Sequence, residues 1–98
     1  MKRLSARMAW ERIVAAVEQA KGERWEDFMG RHGDWGRDAA LWLGRKVGRL
    51  TLKELGQRTG GVDYAAVGQA VSRFGKRLEG DRALRRLIEP LRNNLSNV

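Results

Sequence analysis

Apolar residues recur at helical spacing along almost the whole 98-residue chain. Trp10, Ile13, Val14 and Val17 fall on one stripe, with Ala20 next and Gly22 as a stop. A short second helix carries Trp25, Phe28 and Met29 and ends at Gly30. The loop "GRHGDWG", residues 30–36, holds three glycines. A third helix starts near Asp34–Arg37 and presents Ala40, Leu41, Leu43 and Val47, with Gly48 near its end. Thr51 is suited to cap a brief helix that runs to about Thr59 with Leu52 and Leu55 inward. After Gly60–Gly61, Asp63 is placed to cap a longer helix whose apolar residues are Val67, Ala70, Val71, Phe74 and Leu78. Gly80–Asp81 caps again, and Leu84, Leu87, Ile88, Leu91 and Leu95 form a last stripe, over a helix of about residues 81–94. Pro90 is expected to end or kink that helix, because it lacks an amide donor and crowds the preceding turn, and "NNLSNV" is expected to fray. No strand, repeat or low-complexity segment is evident. The pattern predicts one all-α domain over residues 1–98, a compact bundle of five or six short helices.

Charge adds direction to this picture. The formal net charge is +8, and fifteen of the twenty cations are arginine. Residues 37–77 hold nine Lys/Arg against three Asp/Glu, whereas the segments on either side are each within one charge of neutral. A concentrated positive field attracts polyanions, and arginine favours bidentate contact with phosphate or guanine. The absence of cysteine excludes disulfides and thiolate metal sites and fits a reducing, cytoplasmic setting. No apolar run approaches the length of a membrane span, and residues 1–20 have no signal-peptide core. Membrane binding through an amphipathic first helix is disfavoured by its mixed polar side: Glu11, Arg12, Glu18 and Gln19.

The helices over 51–59 and 63–79 have the logic of a helix-turn-helix, in which the first braces a second that enters the DNA major groove. Gly56 sits where two helices must approach closely, and Gly60–Gly61 can supply positive φ for a tight turn. The positions of the second helix outside its apolar stripe are Tyr64, Ala65, Gly68, Gln69, Ser72, Arg73, Lys76 and Arg77. Small residues permit close approach to base edges, and the cations at the far end suit phosphates. A solvated helix would more typically carry Glu–Lys pairs there, yet no acid lies between Asp63 and Glu79. The same bareness would also let Ala65 and Gly68 pack against another helix or chain.

These residues carry a resemblance. The run from Arg37 to Leu78 contains "GRDAALWL", "TLKELG" and "GGVDYAAV" in order. It resembles the C-terminal DNA-binding domain, domain IV, of the bacterial replication initiator DnaA. "VDYAAV" is more similar to the version at the C-terminus of some REP-associated tyrosine transposases. The resemblance implies a helix-turn-helix fold of the DnaA domain IV and Trp-repressor kind, with double-stranded DNA as partner. It further implies that Arg37 enters the minor groove, that Lys53 lies near backbone and bases, that Asp63 reads a base and that Arg73 meets phosphate. Val62, Tyr64, Ala65 and Ala66 depart from the family's arginine, histidine and hydroxyl residues, so the site read is expected to differ from the initiator's.

Catalytic chemistry lacks an inventory. His32 is the single histidine and falls in the glycine loop. Tyr64, the single tyrosine, has no neighbouring histidine or carboxylate cluster to activate it as a nucleophile. No phosphate-binding loop motif occurs, so neither a cofactor nor a metal is expected. Trp10, Trp25 and Trp42 are expected in the core, and Trp35 either caps the core or stacks on a partner. The expectation is a non-enzymatic, nucleoid-associated module that reads duplex DNA. Arg37, Asp63, Tyr64, Ala65, Gly68 and Gln69 would lie at the bases and grooves. Lys53, Ser72, Arg73, Lys76 and Arg77 would lie at phosphates. In a longer protein a catalytic domain could precede it. The alternatives are a helical protein-interaction module and a binder of structured RNA.

Overall fold

The helical spacing is realised as six helices in a computed structural model that describes residues 6–96. They are α1 (Ala6–Lys21), α2 (Trp25–Phe28), α3 (Trp35–Lys46), α4 (Leu52–Arg58), α5 (Tyr64–Gly80) and α6 (Arg82–Ser96). Helix α3 is the central element, packed on α1 from one side and on α5 from the other, with α6 bridging α1 and α5. Its sequence explains the placement: from Gly36 to Gly44 every residue is buried, so no face is left for solvent. Gly44 lets α3 meet α4, since a Cβ there would lie 2.5 Å from a Leu55 methyl.

The core draws the fully buried Ile13, Val17, Phe28, Leu41, Leu43, Leu55, Val67 and Phe74 into one cluster. Three tryptophans do core work. Trp10 meets Trp25 edge-on at 5.3 Å, and Trp25 meets Phe28 in the same way at 5.3 Å. Trp42 packs on Phe74 at 6.0 Å, joining α3 to α5. Trp35 caps the core, half-buried, with the Lys21 ammonium 5.0 Å above its ring.

Caps set the boundaries. Asp34 accepts from the amides of Gly36 and Arg37 at the head of α3. Asp81 accepts from the Leu84 amide at the head of α6, at 2.9 Å. At the other end of the short link, Arg85 donates to the carbonyls of Leu78 and Glu79 and closes α5.

Three expectations for α6 are corrected. Pro90 lies inside the helix and does not end it, because Leu91 and Leu95 beyond it pack against the core and hold the segment helical. Asn93–Ser96 are therefore helical; Asn97 and Val98 lie outside the described residues, as do residues 1–5. Leu87, placed on the inward stripe by spacing, is 44% exposed. The buried line runs through Leu84 and Ile88, and Leu87 sits one step round the wheel from it.

Candidate nucleic-acid interface

The pair α4–turn–α5 is built around one glycine. A side chain at Gly56 would overlap the Val62 carbonyl, so only glycine allows the turn to fold back onto α4. The Gly56 carbonyl then accepts from the amides of Gly61 and Val62, both at 3.0 Å. Gly60 and Gly61 stand at φ 86° and 87°, the left-handed region that lets the chain reverse between the helices. Thr59 is buried, and its hydroxyl donates to the carbonyls of Leu55 and Gly56. Val62 packs on the core and turns the chain into α5.

The two helices begin differently. At the head of α4, the Thr51 hydroxyl accepts from the Glu54 amide, and the Glu54 carboxylate accepts from the Thr51 amide, a reciprocal capping box. Those bonds to Thr51 hold the Glu54 carboxyl below its usual range. Asp63 occupies the N-cap position of α5, but its side chain makes no capping bond. Its exposed carboxylate projects beside Tyr64, which is 62% exposed.

Beyond this head, α5 buries Val67, Ala70, Phe74 and Leu78 and turns Ala65, Gln69, Ser72 and Lys76 outward, one residue per helical turn. Arg73 is exposed on one flank. Arg77 is also exposed and lies 3.7 Å from the Asp81 carboxylate. Lys53 stands exposed on α4. Gly68 follows the second of its two sequence readings, packing against another helix. It is half-buried on the flank toward α4, where a Cβ would lie 3.3 Å from a Leu52 methyl. Its missing side chain therefore serves packing within the pair.

Arg37, which the resemblance would place in a minor groove, is buried in this structure. Its side chain is 10% exposed, inside the first turn of α3, with Nη1 3.8 Å from the Asp38 carboxylate. Its Nε and Asp38 Oδ1 are buried without hydrogen-bond partners. It lies within the run Gly36–Gly44 of α3, every residue of which is buried, and in this conformation it does not project into solvent. Burial raises the Asp38 carboxyl above its usual value, against the pull of Arg37, Arg73 and His32. Asp34, three residues from Arg37, is the opposite case. Burial acts to raise it, but the Lys21 ammonium and the amides of Arg37 and Gly36 outweigh that and hold it low.

The structure also brings in residues that spacing alone did not single out. Arg45 and Lys46, in the last turn of α3, face Ser72 and Lys76 across an open groove of about 430 Å³. Both are exposed, and the signal for them was the charge excess of residues 37–77. His32 is exposed in its loop. No group of three or more His, Asp or Glu gathers in a metal-holding arrangement among the described residues. No described helix is long and apolar enough to cross a membrane. No protein-family model matches the chain, and no solved structure matches it significantly.

Proposed function

We propose that this protein is a double-stranded DNA-binding module that uses α4–turn–α5 as a helix-turn-helix, with α5 in the major groove. The observation that carries the reading is the outward stripe of α5. Ala65, Gln69, Ser72 and Lys76 project from a helix that has no acid between Tyr64 and Leu78. Small side chains allow a helix to sit deep in a groove about 12 Å wide. Asp63 and Tyr64 lead this helix with their polar groups free of capping bonds, which suits them to base edges. Arg45, Lys46, Lys53, Arg73 and Lys76 surround the stripe and supply phosphate contacts that fix its register.

The resemblance of "GRDAALWL", "TLKELG" and "GGVDYAAV" to DnaA domain IV and its transposase-associated version supports the same reading. It favours a recognition module of an initiator-like or transposase-like protein, acting at the nucleoid. The departures at Val62, Tyr64, Ala65 and Ala66 favour a different target site. Arg37, buried beside Asp38, is not part of this surface in the described conformation.

Selection from randomised duplexes tests this function. The expected result is enrichment of a short motif, with Asp63→Ala relaxing preference at particular base pairs and Arg73→Ala weakening all duplexes alike. Absence of binding to any duplex at low salt would overturn the proposal and leave a protein-interaction role for the bare stripe.

A further inference from the structure

The groove beside α5 has a chemistry of its own. Gly68 and Gly75 lie two turns apart, and a mid-helix glycine costs about 1 kcal/mol relative to alanine. Together they bring the bare backbone of α5 against α3 and α4. A Cβ at Gly68 would lie 3.3 Å from a Leu52 methyl, and one at Gly75 would lie 3.4 Å from the Trp42 indole nitrogen. The result is a groove of about 430 Å³ whose apolar lining is Leu52, Val71 and an edge of the otherwise buried Trp42, whose ring also meets Phe74 and the Arg92 guanidinium. That volume is within the range of small-ligand sites.

Its polar groups converge from both walls. Arg45 and Lys46 line the α3 side and Lys76 the α5 side, and none is ion-paired among the described residues. Arg45 donates once to the Leu50 carbonyl, at 3.2 Å, which steadies it at the rim. The Trp42 N–H offers a donor at the floor, Ser72 a hydroxyl, and Glu79 a carboxylate at the end of the α5 wall.

Simple ligands use only part of this set. A bare oxyanion gains nothing from the apolar lining. A hydrocarbon gains nothing from the cations. A nucleotide has a flat ring whose edge carries donors and acceptors, joined to a phosphate at a fixed reach.

We propose that this groove binds one unpaired nucleotide unit, its base against Leu52, Val71 and the edge of Trp42 and its phosphate between Lys46 and Lys76. The inference goes beyond duplex reading, since a base held inside a helical stack cannot enter the groove. The nucleotide has two sources, a free mononucleotide or an unpaired residue of a DNA strand.

The test is titration of ¹⁵N-labelled protein with adenosine monophosphate, oligothymidine and inorganic phosphate, following the Trp42 indole N–H and the Gly75 amide. Both signals are expected to move with a nucleotide ligand at millimolar concentration or below, and not with phosphate alone. Response to the mononucleotide assigns the free source; response to the oligonucleotide alone assigns the strand. Lys76→Ala is expected to weaken binding about tenfold, the effect of one lost charge contact. Gly75→Leu is expected to abolish it by filling the groove; Lys46→Glu gives the same readout should the leucine variant fail to fold. Unmoved Trp42 and Gly75 signals with both nucleotide ligands, or equal movement with phosphate, would overturn the proposal. Duplex binding measured on the same sample separates the two readings. Retained duplex binding with a silent groove removes only the nucleotide site, and the reverse removes only the duplex reading.

Discussion

Helices α4 and α5 are joined by a five-residue turn, yet their first turns are opposites. At α4, Thr51 and Glu54 satisfy each other's amides, and nothing polar is left over for a partner. At α5, Asp63 holds the capping position with extended backbone but leaves its carboxylate unused, and Tyr64 beside it is mostly exposed. A cap is worth about 1 kcal/mol, so α5 begins without a stabilisation that its sequence could supply. The contrast teaches a division of labour. On the proposed function, α4 is sealed for stability, and α5 keeps its polar head free for contact with DNA.

Substitutions can break or sharpen that contrast. The largest effect is expected at the shared pivot. Gly56→Ala forces a methyl into the Val62 carbonyl and should cost about 3 kcal/mol, lowering the midpoint by roughly 15 °C in a thermal melt. Thr51→Ala should cost about 1 kcal/mol in urea unfolding, because it opens the capping box. Asp63→Ala should change stability by less than about 0.5 kcal/mol, because no capping bond is lost. Equal losses at Thr51 and Asp63 would erase the contrast between brace and reader.

A smaller effect distinguishes the two carboxylates near the head of α3. Asp34 has a lowered folded pKa, so its stabilisation is present above 3.8 and disappears as pH falls through the folded value. Asp38 has a raised one, so its contribution is full below 3.8 and is lost as pH rises through the folded value. In urea unfolding followed upward from pH 3.8, the difference in stability between Asp38→Asn and the parent should therefore shift in favour of the variant as pH rises, whereas for Asp34→Asn it should shift in favour of the parent.

Local chemistry was legible in the sequence where one residue decides one backbone feature. Gly56, the Gly60–Gly61 turn and the caps at Thr51 and Asp81 were of this kind, as were the buried tryptophans. Asp63 was only half legible: residue type indicated the capping position, but the side-chain torsion decides whether the bond forms. Gly68 was left between close approach to DNA and helix packing, because spacing cannot tell an open flank from one that touches Leu52. Leu87 and Pro90 misled for a related reason. Apolar spacing leaves the angle of the buried line uncertain by one step, and packing of Leu91 and Leu95 overrides a proline's local preference.

Arg37 shows the limit most clearly. The resemblance implied an arginine that reaches a minor groove, and charge agreed with an exposed position. Only the assembled fold reveals that it is buried beside Asp38, in a stretch of α3 with no exposed residue. Arg45 and Lys46 were hidden in the opposite sense. Their charge was visible, but their position across the groove from Lys76 depends on how α3 crosses α5.

The central claim is that the cations around the outward stripe of α5 meet the phosphates of duplex DNA. It is tested most directly by duplex affinity measured against salt concentration. Five cations, Arg45, Lys46, Lys53, Arg73 and Lys76, predict that log K falls with log salt at a slope of roughly −4 to −5. Lys76→Ala should reduce that slope by about one. A slope near zero, unchanged by Lys76→Ala, would contradict the account.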